Sequence, residues 1–140
     1  MRGELEMVIK IVIDGDCVPK ARPRLCKFGV YTPKTTVDYE RKVKSCAIEA
    51  MGNKLTSDSP IKLDGEIYVG IPKSSTKRTR ELMLNGGIKP IKKPDIDNCI
   101  KTLMDALNGV VYFDDKQVVS VRFIKEYDIN PRVELKVIEL

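Results

Sequence analysis

The sequence predicts a small α/β (α+β) domain in which two main helices pack on a mixed β-sheet. The chain has 140 residues, the length of one domain, and residues 36–50 and 96–107 repeat apolar side chains at helical spacing. Four further stretches are rich in alternating or β-branched apolar residues, as strands are: 7–13, 61–71, 118–127 and 132–140. Strands and helices mixed along one chain are typical of this class. We therefore expect residues 1–140 to form a single domain.

The first half of the chain predicts a strand, an irregular segment and a helix. The strand covers residues 7–13, and residues 14–33 contain several glycines and prolines, which interrupt regular structure. Thr36 is placed to cap the helix at residues 36–50, and Gly52 to end it. This helix is expected to bury one apolar face against the sheet.

The second half predicts three strands and the second main helix. Gly65 interrupts the strand at residues 61–71 and indicates a turn or bulge, and a short helix is expected at residues 80–84. The strands at residues 118–127 and 132–140 are expected to pair as a hairpin through residues 128–131.

The helix at residues 96–107 is amphipathic, and acidic residues mark both of its flanks. Its apolar stripe is Ile96, Ile100, Leu103 and Leu107, and Asp95 stands where an N-cap is expected. Beside the stripe lie Asp97, Lys101 and Asp105. Asn108-Gly109 ends the helix. A short apolar run follows, and Asp114-Asp115 comes directly after it.

Carboxylates that are brought together repel one another unless a cation lies between them. Oxygen ligands of this kind suit a hard divalent ion, above all Mg²⁺. Each acidic residue also has a structural interpretation: Asp95 as a cap only, Asp97 and Lys101 as a surface ion pair, and Asp114-Asp115 as a turn. Because these acidic residues all occur in this order within 21 residues, from Asp95 to Asp115, a metal site is the favoured interpretation.

Two basic segments are expected to bind nucleic-acid phosphates. The first lies within residues 19–34 and contains no acidic residue, and the second covers residues 72–94 with Glu81 as its one acid. Phe28 and Tyr31 in the first segment can either stack on an exposed base or pack in the core. The alternative to DNA binding is a solvated loop for the first segment and a linker without a special role for the second. The expected DNA-binding residues are Lys20, Arg22, Arg24, Lys27, Lys73, Lys77, Arg78, Arg80, Lys92 and Lys93.

Composition excludes several other functions. The chain has no histidine, so histidine-based acid–base or nucleophilic triads are excluded, and its four cysteines form no C-x-x-C motif, which argues against zinc. The net charge of +5 is modest, so the distribution of charge matters more than its sum. Because no signal peptide or long apolar segment is evident, we expect a cytoplasmic protein with reduced thiols and no membrane association.

The motifs KPDIDNCIKTLMDALNG and DDKQVV, with PKARPR and YTPKTTVDYE before them, resemble those of the RusA family of Holliday junction resolvases. The resemblance extends from about Val18 to Tyr127. It implies a magnesium-dependent endonuclease that acts as a homodimer on DNA four-way junctions, without a small-molecule cofactor. It also assigns the catalytic residues and the metal ligands. The matching catalytic residues are Asp95, Asp97, Lys101 and Asp115, with the three aspartates as ligands and Asp114 as a possible additional acid.

Three functions stay open at this point. They are a junction endonuclease, a metal-dependent nuclease on other branched DNA or RNA, and a nucleic-acid binding module without catalysis. Without histidine, either water activated by the metal or one of the aspartates must serve as the base. The number of metal ions is also open.

Overall fold

The computed structural model describes residues 7–140, which form a four-stranded mixed sheet, a two-stranded ribbon and three helices. This confirms the predicted α/β class. In chain order the elements are β1 (Val8–Asp14), β2 (Arg24–Cys26), β3 (Gly29–Tyr31), α1 (Lys34–Met51), β4 (Ile61–Gly70), α2 (Lys77–Leu84), α3 (Ile96–Leu107), a 3-10 turn (Asp115–Gln117), β5 (Val118–Asp128) and β6 (Arg132–Glu139).

The strand order in the main sheet is β1-β6-β4-β5. β6 pairs antiparallel with both β1 and β4, whereas β5 pairs parallel with β4. The predicted β5–β6 hairpin is therefore wrong, because β4 lies between the two strands. β4 alternates fully buried residues such as Ile61, Leu63 and Ile67 with half-exposed ones, which suits an interior strand, whereas Val119 and Val121 of the edge strand β5 are exposed.

The hydrophobic core lies between one face of the sheet and the helices α1 and α3. Ile9, Ile11 and Ile13 alternate inward along β1, and they join a single buried cluster with residues of both helices, such as Val43 and Leu103. The two helices also pack against each other. The predicted arrangement of two main helices on the sheet thus follows from burial of the two amphipathic faces.

The turn or bulge that was expected at Gly65 is not found, because β4 continues through this residue. A Cβ atom at this position would lie 2.6 Å from Cε1 of Phe123 and 2.8 Å from the carbonyl oxygen of Glu134. Glycine is therefore required here by the close approach of a ring and a neighbouring strand. The register irregularity of β4 lies instead between Ile61 and Lys62.

Two helix starts differ from the predictions. Pro33 occupies the N-cap position of α1, and Thr36 is buried inside the first turn, where its hydroxyl finds no partner among residues 7–140. The predicted Thr36 cap is wrong. α2 begins earlier than expected because Thr76 caps it: its Oγ1 accepts a hydrogen bond from the amide of Thr79 at 3.2 Å.

The first basic segment contains a β-ribbon, β2 and β3, where irregular structure was expected. Every residue of both strands is exposed, and so is Phe28 between them. The core interpretation of Phe28 and Tyr31 is therefore wrong. The four cysteines are free thiols, and no helix within residues 7–140 has the length and apolarity to cross a membrane.

Candidate active site

The N-terminal end of α3 presents two aspartates to solvent. Asp95 occupies the N-cap position, as predicted, but its side chain makes no capping hydrogen bond, and Asp97 lies in the first turn. An Oδ1 atom of Asp97 accepts from the amide of Asn98 at 2.8 Å. Cys99 and Leu103 turn towards the core, which leaves both carboxylates exposed.

Lys125 supports the segment that leads into these aspartates. Lys125 lies near the end of β5, and its ammonium donates to the carbonyl oxygens of Lys92 and Pro94 at 2.9 Å each. The strand thereby holds the backbone directly before Asp95. The sequence offered only a weak signal for this residue, a lysine within an otherwise mostly apolar stretch, and sequence reasoning missed it.

Lys101 pairs with Asp105 rather than Asp97. Its Nζ lies 3.0 Å from Oδ1 of Asp105, while Nζ of Lys20 lies 3.2 Å from Oδ2 of the same carboxylate and 2.6 Å from Glu40. Although burial works in the opposite direction, the hydrogen bonds to Glu40 and Asp105 raise the pKa of Lys20. Lys20 therefore ties the first basic segment to α1 and α3.

Gln117 holds the turn that carries the second acidic pair. Its side-chain nitrogen donates to the carbonyl oxygens of Ser57 and Ser59, and its side-chain oxygen accepts from the amides of Phe113 and Asp114. Together with Asp114 it forms a capping box. The D-x-x-Q spacing was a readable signal for this motif, and sequence reasoning missed it.

Asp114 and Asp115 have different surroundings. The amide of Lys116 donates to Asp114 at 2.9 Å and holds the pKa of that carboxyl below its usual range. Asp115 is half-exposed beside Tyr112, a buried residue whose hydroxyl donates to the carbonyl oxygen of Met104 at 2.8 Å. Burial, with the charges of Asp115 and Asp105, raises the pKa of Tyr112. Asp114 thus serves the turn, while Asp115 lies beside Tyr112, which is bonded to the C-terminal half of α3.

Comparison of the sequence with known protein families shows the family to which the chain belongs. Residues 14–138 match the family described as Endodeoxyribonuclease RusA. The chain belongs to the RusA family. It is also similar to the "Uncharacterized protein YqaN" of Bacillus subtilis (strain 168), with 32% identity over 138 residues that cover 94% of this chain and 96% of the relative.

Nucleases of the RusA family are metal-dependent, and the donor atoms at α3 fit a hard ion. Mg²⁺ is bound through one or two carboxylates plus water, and Asp95 and Asp97 are two exposed carboxylates on one helix end. Within residues 7–140, however, no three acidic, cysteine or histidine side chains gather around one point. Asp95, Asp97 and Asp115 form no such group within the described residues.

The contacts of Lys125 and Tyr112 indicate where Asp115 lies relative to the start of α3. Lys125 contacts Pro94 near the end of β5, whereas Asp115 begins the 3-10 turn that precedes the start of that strand. From Val118 to Lys125 an extended strand covers roughly 23 Å. On the helix, Met104, which bonds Tyr112, lies roughly 13 Å beyond Asp95.

The two basic segments of this RusA-family chain meet beside α3. A cleft of about 600 Å³ is lined by Pro19 of the first segment, by Lys73 and Lys93 of the second, and by Pro94. Among the predicted DNA-binding residues, Lys20 is engaged in ion pairs and Arg80 is half-exposed. The others are exposed: Arg22, Arg24, Lys27, Lys73, Lys77, Arg78, Lys92 and Lys93.

Proposed function

We propose that this protein is a magnesium-dependent endodeoxyribonuclease that resolves DNA four-way junctions by hydrolysing phosphodiester bonds. The observation that carries the proposal is the pair of exposed carboxylates, Asp95 and Asp97, at the start of α3 in a chain that belongs to the RusA family. Both basic segments carry exposed cations, and Lys73 and Lys93 of the second segment line the cleft beside Pro94, which suits a polyanionic substrate.

The proposed ligands of Mg²⁺ are Asp95, Asp97 and Asp115. When bound, the ion neutralises charge on the phosphate and acidifies water. Lys125 holds the backbone before Asp95, so the first two carboxylates keep a fixed position. Lys101 offers an exposed ammonium to the charge that develops on the phosphate. With no histidine in the chain, proton transfer falls to carboxylates or to solvent.

We further propose that two copies complete each site. In one chain Asp115 lies towards the opposite end of α3 from Asp95 and Asp97, as the contacts of Lys125 and Tyr112 indicate. A two-fold symmetric dimer brings Asp115 of one copy to the helix end of the other, and it does so twice. Two such sites suit the two strands that must be cut to resolve a junction.

The deciding experiment compares substrates. The wild-type protein is incubated with a four-way junction, a linear duplex, a flap and a hairpin RNA, each with Mg²⁺ and with EDTA. Mg²⁺-dependent cutting that is fastest on the junction is the expected result. Faster cutting of flaps or RNA would assign the site to another substrate. Tight binding without cutting under any metal condition would indicate a binding module instead.

A further inference from the structure

The ribbon β2–β3 ends in an exposed aromatic residue on a basic stem. Cys26 and Gly29 pair across the ribbon, so Lys27 and Phe28 form a two-residue tip. Phe28 is 93% exposed, and Leu25 behind it is 84% exposed. Val30, which pairs with Leu25 across the ribbon, is also exposed, and neighbouring exposed apolar side chains of this kind are typical of a contact surface.

The charge around the tip decides which partner fits. Between Asp16 and Asp38 there is no acidic residue, and the cations of this stretch are Lys20, Arg22, Arg24, Lys27 and Lys34. A second copy of the same ribbon would bring these cations against one another, which costs free energy. A polyanion that also offers an apolar surface satisfies both the cations and the ring. Unstacked nucleic-acid bases beside their phosphates have this chemistry.

The base of the ribbon is fixed to the active-site helix. The amide of Lys20 donates to the carbonyl oxygen of Asn98 at 2.9 Å, and its ammonium pairs with Asp105. Asn98 directly follows Asp97. Consequently, whatever the tip contacts is held within the reach of eight extended residues, at most roughly 28 Å, from the start of α3.

We infer that Phe28 inserts at the branch point of the DNA and stacks on a base that the branch has already loosened. This inference rests on the proposed function and names how that site selects branched DNA. Unstacking a base inside a continuous duplex costs free energy. The cost is smaller at a branch point, because the bases there are already partly unstacked. Phosphate contacts of Arg24 and Lys27 act on both kinds of DNA, so the aromatic ring supplies the discrimination.

The test measures binding in Ca²⁺, so that cleavage does not interfere. Wild type, Phe28→Ala, Phe28→Trp and Leu55→Ala are titrated with a four-way junction and with a linear duplex of the same arm sequence. Leu55 is 86% exposed outside the ribbon and serves as the matched apolar truncation. Phe28→Ala is expected to weaken junction binding roughly five- to hundredfold, while duplex binding changes less than about twofold. Phe28→Trp and Leu55→Ala should bind as wild type does.

Permanganate oxidation of thymines at the branch supplies a second readout. Wild type should raise the reactivity of these thymines, because the inserted ring separates neighbouring bases from one another. Phe28→Ala should not raise it. Equal junction affinity of wild type and Phe28→Ala would overturn the inference, as would an equal loss on both DNAs or a change of oligomeric state in the variant.

The proposed function has its own separate outcome. A wild type that cuts junctions in Mg²⁺, with a Phe28→Ala variant that binds junction unchanged, overturns the inference alone. A wild type that never cuts, yet binds junction through Phe28, overturns the nuclease and supports the inference.

Discussion

Lys101 donates to Asp105 at 3.0 Å, and this contact directs the lysine along α3 away from Asp97. The ion pair is partly exposed, with 57% of the Lys101 side chain and 20% of the Asp105 side chain accessible to solvent. A pair of this kind is worth little to stability, so an incoming phosphate can compete for the ammonium. Asp105 also receives Lys20, and it therefore keeps a cation when Lys101 leaves.

Lys101→Ala is expected to reduce the single-turnover cleavage rate of saturated junction by roughly 10²–10³, because a cation aimed at transition-state charge is lost. Junction affinity should change little. Lys136→Ala, which removes an exposed lysine on β6, is the matched control. A rate within about threefold of wild type would assign Lys101 to the ion pair alone.

Periodic patterns in the sequence predicted the main elements well. Alternating Ile9, Ile11 and Ile13 gave β1, and the apolar stripe of α3 gave that helix within its observed bounds, because burial of one face sets both periods. The aspartates at the start of α3 were found because they sit beside a periodic pattern.

Features that depend on distant residues were missed. The place of β4 between β5 and β6 is set by which strand buries most, which adjacent sequence does not reveal. The same holds for Gly65, which is required by Phe123 of another strand. Lys125 supports Pro94 from 31 positions away, so no local motif could have placed it.

The expected DNA-binding residues should separate into two groups. Arg22→Gln with Arg24→Gln removes two exposed cations and should reduce the log–log salt slope of duplex binding by about 1.8. Lys20→Gln should instead lower the melting temperature, because Glu40 and Asp105 lose their shared partner. Anisotropy titrations across salt and thermal unfolding check both. If Lys20→Gln instead reduced the log–log salt slope of duplex binding by about 1, the result would mean that Lys20 contacts a DNA phosphate.

Lys125→Met should slow cleavage by freeing the backbone before Asp95. The carbonyl oxygens of Lys92 and Pro94 lose their shared donor, and a small displacement of catalytic groups is enough to cost rate. We expect a fall of roughly 10- to 100-fold at saturating Mg²⁺, with a higher Mg²⁺ requirement. Lys10→Met, on the exposed face of β1, is the control. Unchanged Mg²⁺ dependence would contradict this role.

Gln117→Ala should destabilise the turn that carries Asp115. The variant loses four hydrogen bonds, two of them to carbonyl oxygens beside the core, and each contributes about 0.5–1.5 kcal/mol. We expect at least about 2 kcal/mol less free energy of unfolding in urea, together with reduced cleavage. Asn53→Ala, in the exposed loop after α1, should leave both unchanged. Full stability in the Gln117 variant would mean that water replaces these bonds.

Asp97→Asn and Asp115→Asn test whether the site is shared between copies. Each variant alone should lose Mg²⁺-dependent cleavage and keep junction binding, because a ligand is removed while negative charge near the phosphates falls. Mixed dimers of the two variants contain one site with both substitutions and one with neither. Unfolding and refolding an equal mixture should therefore restore about a quarter of the wild-type active sites. A mixture of Asp95→Asn and Asp97→Asn is the control and should stay inactive, since both residues lie at the start of one α3. Absence of activity in the Asp97/Asp115 mixture, with mixed dimers shown by mass spectrometry, would place all three aspartates in one chain.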